Sequence, residues 1–121
     1  MQLATLRPID SASLAPDDRP IDLVHLARMT LGERSLEREV LQLFDRQSTL
    51  LIARMRAAPA GVATLAHTLK GSARGIGAWR VARAAEALEG ADAADRGAAL
   101  DRLAATTEEA RGLIAELLRA N

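Results

Sequence analysis

A chain of 121 residues can bury one modest core but not two full domains, and its 49% apolar content is too high for a disordered chain. Lys and Arg balance Asp and Glu at 16 each, so no net charge draws the chain to nucleic acid or a membrane surface. Cysteine is absent, which excludes disulfides, thiolate metal sites and cysteine nucleophiles together.

Residues 1–20 hold Pro8, Pro16, Pro20 and the Asp17-Asp18 pair without sustained periodicity, and read as a loose N-terminal arm. Residues 21–121 then form one helical unit. Asp22 can cap a short first helix, "DLVHLARMTLG", with Gly32 as its stop signal. From Glu33 to about Ala58, Leu36, Val40, Leu43, Phe44, Leu51 and Met55 recur at helical spacing, with arginines and glutamates between them. Pro59 and Gly61 break that pattern. A third helix runs from Val62 to about Arg74, and Gly75-Ile76-Gly77 makes the next turn. A fourth covers Ala78 to Glu89 and stops at Gly90; a fifth runs from about Ala94 to Arg119 on Leu100, Leu103, Leu113, Ile114 and Leu117. No stretch alternates like a strand. The expected fold is all-α: an antiparallel four-helix bundle with a short additional N-terminal helix.

No run reaches the roughly 18 apolar residues of a membrane span, and the N-terminus lacks a basic-then-apolar signal, so a cytoplasmic protein is expected. Phe44 and Trp79 are its only Phe, Tyr or Trp residues, too few for base-stacking platforms.

The third helix carries an oddity of composition. Lys70 is the single lysine of the chain, three residues after His67 and directly before Gly71. At about 100° per residue, Val62, Leu65, Ala66, Leu69 and Ala73 share one face, and His67 falls about 160° from Leu69, towards solvent. Its helical neighbours are Ala63, Thr64, Lys70 and Gly71, three of them small. A mid-helix glycine costs about 0.5–1 kcal/mol against alanine, so Gly71 suggests a need for close approach. Arg74 shares the exposed face. If the third and fourth helices fold back about Ala78, His67 comes level with Glu89 and Lys70 with Glu86. Glu89 could then accept the imidazole Nδ1–H and leave Nε2 as an outward lone pair.

The run His67-Thr68-Leu69-Lys70-Gly71-Ser72-Ala73-Arg74-Gly75-Ile76-Gly77-Ala78, continued by Val81, Ala82, Ala85, Leu88 and Glu89, resembles the signature of histidine-containing phosphotransfer (HPt) domains. The resemblance extends over about residues 20–120. It implies a phosphohistidine carrier in a two-component phosphorelay, with His67 taking a phosphoryl group from one receiver-domain aspartate and giving it to another. Lys70 would stabilise the phosphoryl group, Gly71 would leave room for the partner, and Glu89 would orient the imidazole. Ala63, Thr64 and Arg74 would meet the partner. The implied partners are response-regulator receiver domains and a (hybrid) histidine kinase. The carrier is expected to be a monomer with no cofactor of its own, magnesium coming from the receiver.

Phosphoryl transfer spreads charge over the equatorial oxygens, so positioning and positive charge carry most of the catalysis. A flexible ammonium can follow a phosphoryl group as it arrives and leaves, which suits a lysine better than a rigid guanidinium. No glycine-rich nucleotide loop is present, so ATP-dependent kinase activity is not expected. Two rivals come from other classes. His67, Glu86 and Glu89 could hold zinc or iron, although no Glu-x-x-His pair supports it. A degenerate HPt module could dock signalling partners without chemistry, which the retained His67 and Lys70 argue against. His25, without a Lys-Gly pattern behind it, reads as incidental.

Overall fold

Helical periodicity is realised in a computed structural model that describes residues 19–120. Apart from Arg19 and Pro20, the expected N-terminal arm lies outside the described residues. Five α-helices follow: α1 (Leu23–Met29), α2 (Arg34–Ala57), α3 (Val62–Ile76), α4 (Trp79–Glu89) and α5 (Arg96–Ala120). A single 3-10 turn, Pro59–Gly61, joins α2 to α3, and no strand occurs among the described residues. Helix α3 packs on α1, α2 and α4, while α5 covers α2 and α4.

The core follows the apolar stripes. Phe44, Leu51, Met55, Val62, Leu69, Val81, Leu88, Leu103 and Ile114 are all buried. Between α3 and α4 the buried residues are largely alanines: Ala66 and Ala73 on one helix, Ala82 and Ala85 on the other. Small side chains let two helix backbones approach closely, so short polar side chains at the edge of this seam can touch across it.

Several sequence expectations are corrected. Leu43 was placed on the buried stripe of α2 but stands 55% exposed, and Leu41 is buried instead. Two stripe positions are polar: Ser48 and Thr107 are fully enclosed, Ser48 with its hydroxyl on the Asp45 carbonyl. The Ser48 hydroxyl is accommodated because it bonds to the backbone of the preceding turn, which a hydropathy pattern does not register, whereas the buried Thr107 hydroxyl meets no hydrogen-bond partner among the described residues. Gly75 belongs to α3 rather than to the turn, because the helix continues through Ile76. Helix α5 starts at Arg96, two residues later than expected, because Asp92 accepts the Asp95 N–H and holds a turn there. Gly32 does mark the stop after α1, at φ 72°, but it is not alone in the left-handed region. Leu31, at φ 55°, takes the left-handed position ahead of Gly32, and the Gly32 N–H bonds back to the Ala27 carbonyl.

The reversal between α3 and α4 is tied to the start of α1. Gly77, at φ 83°, ends α3, and the Ala78 N–H reaches back to the Ala73 carbonyl at 2.9 Å. Asp22 N–H donates to the Gly77 carbonyl at 2.8 Å. The Asp22 carboxylate accepts the His25 N–H at 3.1 Å, capping α1, and the Trp79 indole N–H at 3.0 Å. The indole bond in particular holds the Asp22 carboxyl below the usual range. His25 is therefore structural, its ring meeting Trp79 edge-on at 4.8 Å. A Cβ on Gly77 would sit 2.9 Å from the Asp22 carbonyl oxygen. Gly77→Ala is accordingly expected to cost about 1–3 kcal/mol, through left-handed backbone strain and this clash, as a lowered midpoint in thermal or urea unfolding.

Candidate functional site

Helix α3 presents Ala63, Thr64, His67, Gly71 and Arg74 on its exposed face. The apolar stripe on its other side, Val62, Ala66, Leu69 and Ala73, is buried and fixes the rotation of the helix. The His67 side chain is 67% exposed. Sequence spacing placed it towards solvent, and the structure does the same.

The reversal at Gly77 and Ala78 brings the far end of α4 back beside His67. Nδ1 of His67 lies 2.8 Å from Oε2 of Glu89, a residue 22 positions along the chain. The other oxygen, Oε1, stands 2.7 Å from Nζ of Lys70. Both partners favour the charged carboxylate: the Lys70 ammonium first and the His67 hydrogen bond second hold Glu89 below its ordinary value. An ionised carboxylate can only accept, so Nδ1 must be the protonated nitrogen. In the neutral ring that leaves the Nε2 lone pair unprotonated and facing away from Glu89.

The expected level pairing of Lys70 with Glu86 does not occur. Lys70 reaches Glu89, while the exposed Glu86 lies 3.9 Å from Arg74. Counting residues from a turn gives height along a helix but not direction around it. Glu86 and Glu89 differ by three residues, about 60° in direction, which turns Glu86 outwards. The same rotation dismantles the triad of His67, Glu86 and Glu89 weighed as a metal site. Among the described residues no three His, Cys, Asp or Glu side chains stand together as a metal-binding group.

A Cβ added at Gly71 would meet no atom within 4 Å, and the same is true of Gly75 one turn later. Internal packing therefore does not require glycine at either place, and both leave the helix surface bare. Beyond them the surface falls into an apolar groove of about 370 Å³ between α1, α2 and α3, lined among others by Met29, Val40, Leu43, Gln47 and Gly75. The Ser72 hydroxyl donates to Gln47 Oε1 at 2.9 Å beside it. This groove was missed in the sequence, where Leu43 read as core. The available signal was the excess of apolar residues over what one helix face can bury: Leu43, more than half exposed, lines the groove beside Val40.

A family model described as the Hpt domain matches residues 34–119, which spans α2 to α5 and the whole His67 site. No match is found among curated proteins or among solved structures.

Acid should dismantle the Glu89 contacts in a definite order. The unfolded chain titrates Glu89 near 4.5 and the folded protein titrates it lower, so the unfolded state binds the extra proton first. The stabilisation is complete above the unfolded value and is lost as pH falls through the folded one. Urea unfolding of wild type and Glu89→Gln across about pH 6 to 3 should therefore show a stability difference that narrows on acidification. A difference that stays constant through this range would contradict the ion-pair origin of the shift.

Proposed function

The chain belongs to the Hpt domain family, and on that premise we propose that it is a phosphohistidine carrier that moves a phosphoryl group between receiver-domain aspartates on Nε2 of His67. Hpt domains are phosphocarrier modules of two-component relays rather than kinases. The observation that carries the reading is an exposed imidazole whose Nδ1 is occupied by Glu89, leaving the nucleophilic nitrogen directed away from the bundle.

In the proposed step the Nε2 lone pair attacks phosphorus of a receiver acyl phosphate. A P–N bond forms, the P–O bond to the aspartate breaks, and the carboxylate departs with the electron pair. The ring gains positive character as it is phosphorylated, and Glu89 at Nδ1 stabilises that charge. Transfer onwards to a second aspartate reverses these bonds. Lys70 is placed one helical turn from His67 and adds positive charge next to the phosphoryl oxygens. The magnesium and acidic pocket belong to the receiver, so the carrier needs no cofactor of its own and no ATP.

The reading takes α2–α5 as an antiparallel four-helix bundle with α1 as its additional helix, acting as a monomer in the cytoplasm. No helix among the described residues is long and apolar enough to cross a membrane. Receivers, and a histidine kinase through its own receiver, dock over His67 with Ala63, Thr64 and Arg74 at the rim. Gly71 and Gly75 extend that surface into the groove containing Leu43. A mixed apolar and charged face of this kind suits a partner that must leave after each transfer.

Incubation with a phosphorylated receiver should place acid-labile label on the wild type and none on His67→Gln. A wild type that binds receivers but never takes up label would make it the degenerate docking module instead. Gly71 separates docking from folding. Gly71→Ala should stabilise the helix by about 0.5–1 kcal/mol, since its Cβ meets nothing. Gly71→Leu should fold but slow transfer by roughly a hundredfold, by holding the partner off the nucleophile.

A further inference from the structure

Resting on the carrier reading of His67, we infer that Arg54 and Arg74 form a basic bracket around the nucleophile. The bracket selects receivers that carry carboxylates on both sides of their phosphorylated aspartate. Arg74 stands on the exposed face of α3, whereas Arg54 comes from α2 and lies outside the motif around His67.

At about 100° per residue, Leu43, Gln47, Leu50 and Arg54 lie within about 60° of one another on α2. Their neighbours set this stripe along the flank of α3. Leu43 and Gly75 line the same groove, the Ser72 hydroxyl donates to Gln47, and Arg54 shares a depression of about 320 Å³ with Thr64 and Leu65. Thr64 precedes His67 by one turn, about 4.5 Å along the axis, and Arg74 follows it by two, about 10.5 Å. One guanidinium therefore stands beyond each end of the nucleophile.

Charge is segregated across this surface. Helix α3 contains no acid, and from Leu43 to the end of α2 the single acid is Asp45, held by Arg111 at 2.6 Å. The acids beside the α3 face come from α4: Glu89, engaged with Lys70 and His67, and the exposed Glu86. In a chain of 16 acidic and 16 basic residues, a face so free of carboxylates is complementary to those of a partner. Glu86 repels the same partner from the α4 side, which turns it towards α2.

Both arginines are available. Arg54 is exposed and makes no ion pair among the described residues. Arg74 is more than half exposed and meets Glu86 only at 3.9 Å, a solvated pair that yields readily to a better one. The planar fork of a guanidinium holds a carboxylate through two parallel N–H bonds, so each arginine reads the position of an acid as well as its charge. Leu43 and Leu50, each more than half exposed, add apolar contact on the same stripe. The partner's acids must stand roughly 15 Å apart, the rise from Thr64 to Arg74. A receiver with a basic residue at either point is disfavoured.

Transfer from phosphorylated receiver domains to the full-length protein tests the bracket, with phosphoramidate as the reference donor. Phosphoramidate gives its phosphoryl group to an imidazole with loss of ammonia, and it has no protein surface to be read. Each variant's transfer is compared with its own labelling by that donor. Arg54→Gln and Arg74→Gln should each raise KM roughly fivefold for a receiver that labels the wild type, with kcat within about twofold. Arg54→Glu should raise it by roughly fiftyfold. Sodium chloride increased from about 0.05 to 0.3 M should raise the wild-type KM, and should act less on either glutamine variant. A KM unchanged in Arg54→Gln or in Arg74→Gln overturns the inference, as does a wild-type KM indifferent to salt. So does a loss confined to kcat, or one that phosphoramidate labelling shares. A wild type labelled by neither receivers nor phosphoramidate would instead end the carrier reading.

Discussion

The two oxygens of Glu89 are the narrowest constraint in this molecule. One holds the imidazole of His67 and the other the ammonium of Lys70, and the chemistry available at Nε2 follows from that division. A neutral histidine on a helix surface can carry its proton on either of two distinct ring nitrogens. Only a committed anion on one side makes the other nitrogen a dependable nucleophile. That anion has to remain charged while partly exposed, and Lys70, more than His67, holds it in its ionised form.

Nothing in this arrangement is local to one helix. Glu89 closes α4 and His67 lies within α3, so their contact depends on how α3 and α4 are joined and how closely they pack. Ala66, Ala73, Ala82 and Ala85 allow the close seam, and Gly77 allows the tight reversal. Asp22 locks the reversal from outside by bonding Gly77, capping α1 and holding the Trp79 indole. The short first helix thus braces the turn that aligns the site, and it also forms one wall of the apolar groove beside Gly75.

Much of the fold was legible in the sequence because its signals are periodic or stereochemical. Pro59 and Gly61 break α2 from α3, Asp22 caps α1, and the stripe from Val62 to Ala73 by itself turns His67 to solvent. The errors share one cause. Leu43 was assigned to the core because apolar spacing shows that a face exists, not which part of it a neighbour covers. Lys70 was matched with Glu86 because heights along two helices can be counted from a turn while their rotations cannot. Ser48 lies in the core because its hydroxyl is satisfied by the Asp45 carbonyl, a contact that hydropathy ignores.

The chain by itself determined an all-helical fold, an exposed His67 with Lys70 and Gly71 beside it, and membership of a phosphocarrier family, since each is written in residue spacing within one helix or in a contiguous motif. Tertiary structure alone decided which acid meets which base. The partition of Glu89 between Lys70 and His67, the outward turn of Glu86 and the opening of the groove at Leu43 all depend on the relative rotation of packed helices. That rotation is set by many small contacts between distant segments, and no single stretch of sequence contains them.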